Sequence, residues 1–370
     1  MKINAAVLRA FKEPLSIEEL ELAPPAQNEV LIRHVYTGFC HTDLHYMLGE
    51  VKVGLPMVLG HETGGVVEEV GPGVSTVKVG DHVVSNFIVS CGTCPECLRG
   101  MTHLCSGNMD AFIQGTMLDG TSRLTDKNGQ SIKHGLYVSG FATYGVMPER
   151  GVVPIRKDMP LDQACLMACC VPTGWGAVSN IAKVLPGDSV AVFGMGGVGL
   201  NVLRAAALRQ ANPLIAVDLE GEREAIAGDF GATHFVNSSK EDPVPVIKKI
   251  TEGKGADIVF EVIGDPGAVV QAYWSVGKAG KLVIVGVTPQ DDVTPLQLFR
   301  LPSHQLSILG GLYGSISTHI DIPKLIDLSM KGGLRLDRLV TKKFKLQDIN
   351  DVADAMVKRR ITGRWVCEFD

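Results

Sequence analysis

No stretch of this chain reaches the roughly 18 uncharged apolar residues that a membrane-crossing helix requires, so no membrane span is expected. A basic block is equally absent. Lys and Arg number 35 against 40 Asp and Glu, a formal net charge of −5, which argues against nucleic acid as the main partner. The opening segment MKINAAVLRAFKEPLSIEEL is charged throughout and has no long apolar run, so no secretory signal is expected. There is no internal repeat and no low-complexity tract. What is present is an ordinary globular composition, 45% hydrophobic and 20% charged, with 42 glycines that suit the many tight turns of an α/β protein. At 370 residues the chain exceeds one ordinary core, so two domains are expected. Its nine cysteines, without a secretion signal, point to metal ligands and free thiols in a reducing compartment, the cytoplasm.

Four of those cysteines sit in CGTCPECLRGMTHLC: Cys91, Cys94, Cys97 and Cys105. Short Cys-x2-Cys steps broken by Gly92, Pro95 and Gly100 present sulfurs from tight turns, and four thiolates close a tetrahedral shell around one zinc ion. Such a shell has no open position, so it supports a fold and performs no chemistry.

The first part of the chain is strand-like. AAVLRA, VLIRHVY, GGVVEEVG, DHVVSNFIVS and YGVMPERGVVPI alternate or run in β-branched residues between Gly, Pro and Asp, which suggests a β-rich domain of irregular barrel type. The polar, Gly-rich segment from about Ser106 to Gly140, with LDGTS and DKNGQ, reads as a long surface excursion. The character changes near Pro172. Short apolar strands, VAVF (190–193), LIAV (214–217), HFVN (234–237), DIVFEVIG (257–264), KLVIVGV (281–287) and SILGG (307–311), then alternate with helical stretches. Near-continuous apolar strands separated by helices mean a parallel sheet covered on both faces. Six of them fit a complete doubly wound dinucleotide-binding domain of Rossmann type.

FGMGGVGL supplies Gly194-x-Gly196-x-x-Gly199 directly after the strand VAVF and at the start of a helix, the context that gives the pattern its meaning. Gly194 allows the tight turn, Gly196 admits a pyrophosphate against the backbone, and Gly199 lets helix and sheet pack closely. The helix N-terminus then offers amide donors to the phosphates. An acidic residue about 20 positions on is expected to hold the adenine ribose, and Asp218 stands there. Its carboxylate would repel a 2′-phosphate and no Arg follows immediately, so NAD is expected over NADP.

A second set of ligand types is dispersed. GFCHTDLH carries Cys40, His41, Thr42, Asp43 and His45; LGHETGG carries His61 and Glu62; LMACCVPTGWG carries Cys169 and Cys170. Spacing alone does not choose among them. The ordered set CHTDLH, GHE, the four-cysteine lobe, GTMLDGTSR, the segment before PTGWG and FGMGGVGL resembles the zinc-dependent medium-chain alcohol dehydrogenases, in the form with a structural zinc lobe, over essentially the whole chain. The resemblance implies a GroES-like catalytic domain over 1–171, with the lobe at about 91–105, and again over 313–370. It implies a six-stranded Rossmann cofactor domain over 172–312.

It implies two Zn2+ per chain and NAD. The catalytic zinc ligands would be Cys40, His61 and Cys169. Cys169 is preferred to Cys170 because the family's ligand precedes the Thr of the Thr-Gly-aromatic-Gly turn, here Thr173, by four residues. Asp43 resembles the carboxylate that orients the ligand His61, and Glu62 the one behind the metal. Thr42 resembles the hydroxyl that contacts the substrate oxygen, and His45 the outer histidine of a proton relay to solvent. His41 stands where many relatives have Arg against the pyrophosphate, Arg364 resembles another pyrophosphate contact, and Arg223 would neighbour the ribose. Thr173, Gly197, Val198 and Val287 complete the expected cofactor set. Phe87, Val51, Leu136 and Trp175 would line the substrate pocket or its entrance, and Gly135, standing where some relatives have a bulky aromatic, would widen it for aryl or branched alcohols. The implied partner is an alcohol/aldehyde pair, and the implied assembly a homodimer, with a homotetramer the alternative.

Three other readings compete. A thiol-dependent formaldehyde dehydrogenase of the same family is one, although Ser106–Asp110 offers no basic residue for glutathione and leaves mycothiol open. A variant with permanently bound NAD is the second. A zinc-ribbon binding protein is the third, opposed by the acidic balance and the dinucleotide fingerprint.

Overall fold

The computed structural model describes residues 1–369. The chain divides into two compact units. The first comprises Met1–Cys169, Ser317–Lys331 and the residues from Val340 onward; the second comprises Cys170–Ile316 and Gly332–Leu339.

The first unit is built from a small closed barrel and a larger sheet. Strands Lys2–Leu8, Ser16–Leu22, Leu124–Thr125, Ser131–His134 and Met57–Val58 close the barrel. The larger sheet runs Val152–Ile155, His82–Ser85, Glu62–Val70, Glu29–Gly38, Arg364–Glu368 and Val340–Phe344, with Tyr144–Pro148 also paired to Glu29–Gly38. Apolar faces meet inside: Ile3, Ala5, Leu20, Leu22, Leu124 and Ile132 fill the barrel. Val30, Ile32, Val67, Val83, Met147 and Val152 form a neighbouring core under the larger sheet.

The segment 106–140 is not the surface excursion its polarity suggested. It supplies two barrel strands, and Met117, Leu124, Ile132 and Leu136 are buried. Two of its polar residues are tied down by several bonds each. Arg123 pairs with Glu29 at 2.8 Å and Asp119 at 2.7 Å, and Asp126 accepts the amides of Asn128 and Gln130. The Gly and Asp turns are there to reverse short strands, and short strands carry too few apolar residues to register as a pattern.

The second unit is a six-stranded sheet in the order His234–Asn237, Leu214–Asp218, Val190–Phe193, Ala256–Glu261, Val276–Ile284, Ser307–Gly310. Every pairing is parallel. In chain order this is 3-2-1-4-5-6, the dinucleotide-binding arrangement, with the switch point between the first and fourth strands. The strand read as DIVFEVIG stops at Glu261. The Glu261 carboxylate accepts the amides of Ile263 and Gly264, and Gly264 takes φ 82°. Helix Gly197–Leu208 follows the first strand and buries Leu200, Val202, Leu203, Ala205 and Ala206. Among the described residues no single helix is long and apolar enough to cross a membrane.

Candidate functional site

The four lobe sulfurs lie within 4.8 Å of one another. Cys94 caps the short helix Pro95–Leu98 and accepts the amide of Cys97 at 3.5 Å. Cys91 Sγ accepts the amides of Thr93 at 3.4 Å and Cys94 at 3.2 Å, and Cys105 Sγ accepts the amide of Cys91 at 3.2 Å. Amides aimed at sulfur favour thiolate: the Thr93 backbone donor, with its hydroxyl and the Cys94 amide, holds the Cys91 thiol down at about 5. Burial pushes the Cys97 thiol up to about 12. Four thiols this close cannot all ionise without a cation, and one Zn2+ supplies it. Gly107 makes room, since a Cβ there would meet Cys91 Sγ at 2.5 Å.

A second cluster joins Cys40, His61, Glu62 and Cys169, all buried and again within 4.8 Å of one another. Asp43 organises it. One carboxylate oxygen accepts the Cys40 amide at 3.0 Å, which closes the N-terminus of helix His41–Leu48. The other accepts the Gly60 amide at 3.0 Å and faces His61 Nδ1 at 3.3 Å. A carboxylate on Nδ1 fixes the ring and leaves Nε2 for a metal. Ser85 donates to the His61 carbonyl at 2.7 Å, and Phe87 meets the His61 ring edge-on at 5.4 Å between centroids.

Charge in this cluster is unbalanced in the direction a cation corrects. The Cys40 thiol is held well below its ordinary range, chiefly by a hydrogen bond with Cys169, against the effect of burial. Burial pulls His61 down, but Asp43 and Cys40 together lift it well above the ordinary imidazole value. Burial pushes Glu62 up to about 7, with Arg364 opposing. Glu62 Oε1 accepts from Arg364 at 2.9 Å, and its Oε2 has no hydrogen-bond partner among the described residues. That oxygen lies over Gly38, where a Cβ would come within 2.2 Å of it. An orphaned carboxylate oxygen beside two thiols and an imidazole is a donor set that Zn2+ fits.

Arg364, expected at a pyrophosphate, is buried here on Glu62, with further bonds to the Phe39 carbonyl at 3.2 Å and Cys40 Sγ at 3.8 Å. Thr42 Oγ1 lies 3.7 Å from Cys40 Sγ. His45 is buried rather than at the surface, and its ring meets that of His41 edge-on at 5.1 Å. Burial, then His45, holds His41 below the ordinary imidazole value. Val51, Phe87 and Leu136 pack against one apolar cluster with Phe39 and Phe141. Gly135 is glycine for a packing reason: a Cβ would sit 2.4 Å from the Val58 carbonyl oxygen, so a side chain there would strike backbone.

In the second unit Gly194 has φ 103°, and a Cβ on Gly199 would lie 1.7 Å from the Gly194 carbonyl oxygen. Gly196 faces open space and caps the helix that begins at Gly197 and Val198. Asp218, at the end of its strand, accepts the Met195 amide at 2.7 Å, the Arg223 guanidinium at 2.9 Å and the Glu220 amide at 3.0 Å. An open glycine, a helix N-terminus and an anchored carboxylate fit a dinucleotide. Thr173 is buried in helix Cys170–Gly176, Trp175 is half-buried, and Val287 is exposed.

Sequence reasoning missed two partners. Gly38 stands opposite Glu62 in the sheet, and this pairing needs the register to be seen. Glu50 contacts His45 Nδ1 at 2.5 Å. Its signal was present in the sequence as a Gly followed by an acid at the end of the helix that carries His45.

Residues 26–157 match the family model "Alcohol dehydrogenase GroES-like domain", and residues 197–331 match "Zinc-binding dehydrogenase". The chain is 39% identical over 360 residues to an S-(hydroxymethyl)glutathione dehydrogenase of Synechocystis sp., covering 96% of this chain and 97% of that one. It is 39% identical over 360 residues to a class-3 alcohol dehydrogenase of Dictyostelium discoideum, covering 95% and 94%. Among solved structures, the benzyl alcohol dehydrogenase of Acinetobacter calcoaceticus is similar with a TM-score of 0.93 at 33% identity, over 100% of both chains. A zinc-binding-domain alcohol dehydrogenase protein of Burkholderia ambifaria is similar with a TM-score of 0.94 at 35% identity, over 100% and 99%.

Proposed function

The chain belongs to the zinc-dependent medium-chain alcohol dehydrogenases, and on that premise we propose that it interconverts free primary alcohols and aldehydes, aryl or medium-chain, with NAD as hydride acceptor. The observation that carries the metal chemistry is the buried set Cys40, His61 and Cys169, with the orphaned oxygen of Glu62 beside it. Zinc held by Cys40, His61 and Cys169 would supply a Lewis acid for the substrate oxygen, and NAD would take the hydride.

The chain's own residues do the rest. Asp43 holds His61 in the tautomer that leaves Nε2 unprotonated. Thr42 receives the proton leaving the alcohol oxygen, and His45 passes it toward solvent. Glu62 and Arg364 set the charge behind the ligands. Asp218 accepts the ribose hydroxyls and excludes a 2′-phosphate. Val51, Phe87 and Leu136 offer an apolar wall to the substrate's carbon chain. We place the enzyme in the cytoplasm as a homodimer joined through the sheet edge Ser307–Gly310, whose Ser307, Ile308 and Gly310 are exposed.

A second reading, a thiol-dependent formaldehyde dehydrogenase, is favoured by relatives named for S-(hydroxymethyl)glutathione. It is opposed by the absence of a basic side chain over Ser106–Asp110. NADH formation from ethanol, hexanol, benzyl alcohol and geraniol, and from formaldehyde with and without glutathione or mycothiol, separates the two. Turnover of free alcohols is expected; activity that requires a thiol would replace the first reading with the second. NAD released on denaturing the pure protein would identify a permanently bound cofactor.

A further inference from the structure

Helix His41–Leu48 ends in a motif whose geometry has a chemical consequence. Gly49 adopts φ 72°, its amide bonds to the Tyr46 carbonyl, and the Glu50 amide bonds back to the His45 carbonyl at 3.0 Å. This pair of bonds defines a Schellman cap, in which the residue after the glycine lies against the residue five positions earlier and usually makes an apolar contact with it. Here those two positions hold Glu50 and His45, and the contact is polar: His45 Nδ1 lies 2.5 Å from Glu50 Oε2. The His45 side chain is 10% exposed and that of Glu50 34%. The imidazole is therefore held from one side by a carboxylate that still reaches water.

An ionised carboxylate only accepts, so the Nδ1 proton must be the one donated. We propose that Glu50 is a positioning residue for proton transfer: it fixes His45 as the Nδ1–H tautomer and keeps Nε2 as the basic nitrogen. This inference rests on the alcohol dehydrogenase reading above. For each alcohol oxidised, the hydride goes to NAD and the O–H bond breaks. The proton reaches Nε2 of His45 by way of the Thr42 hydroxyl, forms an imidazolium, and passes from Nε2 to solvent. Without Glu50 the ring is free to turn over and to protonate Nε2, which removes the acceptor. The other charged or titratable ring facing His45 is His41, edge-on at 5.1 Å. It is itself held toward the neutral form by burial and offers no carboxylate that could replace Glu50.

The test has two arms on the zinc-loaded protein. In the first, imidazole 15N resonances of His45, assigned by their loss in His45→Gln, report the tautomer. Wild type is expected to carry the proton on Nδ1. Glu50→Ala is expected to shift it toward Nε2, and Glu50→Gln, whose amide oxygen still accepts, to restore it. In the second, Glu50→Ala should lower kcat for alcohol oxidation roughly 10-fold with little change in KM, and should cost nothing further in the His45→Gln background. An identical 15N spectrum in wild type and Glu50→Ala, or an equal loss with and without His45, overturns the proposal. If wild type oxidises no alcohol, the alcohol dehydrogenase reading fails, and the tautomer arm still decides whether Glu50 orients His45.

Discussion

At the residue scale, the second metal cluster depends on a few side chains whose neighbours are as telling as their own chemistry. Cys169 lies within 4.8 Å of the other three donors, whereas no described donor group includes the adjacent Cys170. Cys169→Ser is expected to abolish turnover and remove one of two bound zinc ions, and Cys170→Ser to leave both; metal analysis of the purified variants checks this. Normal activity in Cys169→Ser would overturn the ligand assignment. Asp218 carries three hydrogen bonds that hold its carboxylate at the end of its strand. A ribose hydroxyl donating to this carboxylate would add a charge-assisted bond worth about 1.5–3 kcal/mol. Asp218→Ala is therefore expected to weaken NAD roughly 10- to 100-fold and to relax discrimination against NADP. Titration with both cofactors measures it, and an unchanged NAD/NADP ratio would refute the ribose role.

At the element scale, the lobe Cys91–Cys105 has little to bury. Leu98, Met101 and Leu104 are all exposed, so among the described residues the lobe has little apolar packing, and beyond the Arg150 bonds to the Ser90 and Cys91 carbonyls its order is expected to come from the metal. Cys97→Ser is expected to lose the lobe zinc and to make the lobe the first site of limited proteolysis, while the sheets of both units stay intact by circular dichroism. The loop before helix Gly197–Leu208 is constrained in the opposite way, by crowding. A methyl group on Gly199 would overlap the Gly194 carbonyl oxygen at 1.7 Å. Gly199→Ala should force that turn open, at a cost on the order of 1–3 kcal/mol or more. It should remove NAD binding while zinc content stays unchanged; a variant that still binds NAD at wild-type affinity would contradict the packing role of Gly199.

At the scale of the whole molecule, two buried histidines of the first unit make stability depend on pH. Burial holds His34 at about 4 and His134 at about 3, the latter helped by Arg123, against an ordinary value of 6.5. His34 donates its Nδ1 proton to the Ala142 carbonyl at 2.8 Å, and its Nε2 has no partner among the described residues. The unfolded chain takes up a proton on each ring below about 6.5 and the folded chain does not, so stability rises with pH across this window. Their contribution is complete above 6.5 and is lost as pH falls toward 4. Between pH 6.5 and 5 each histidine is expected to remove on the order of 2 kcal/mol. Denaturant melts across that range check the slope, and His134→Asn should flatten it.

The sequence alone determined much of this protein. Long apolar strands separated by helices announce the six-stranded parallel sheet, because burial on both faces leaves an unbroken hydrophobic run. The four-cysteine lobe is equally plain, because its donors are local in sequence and chelation needs only short turns. Where contacts are distant, the linear pattern carries less. The barrel strands within 106–140 are too short to show a period, and only closure against Ser16–Leu22 and Met57–Val58 makes them strands. Cys40, His61 and Cys169 become one set only when a helix start, a strand end and a later turn converge, and spacing could not have chosen them. The buried pairing of Arg364 with Glu62, across 302 residues, and the seating of Glu62 over Gly38 are likewise decisions of the tertiary structure. Local chemistry is set by neighbours in sequence, but a buried charge finds its partner only after the sheet has brought distant strands into register.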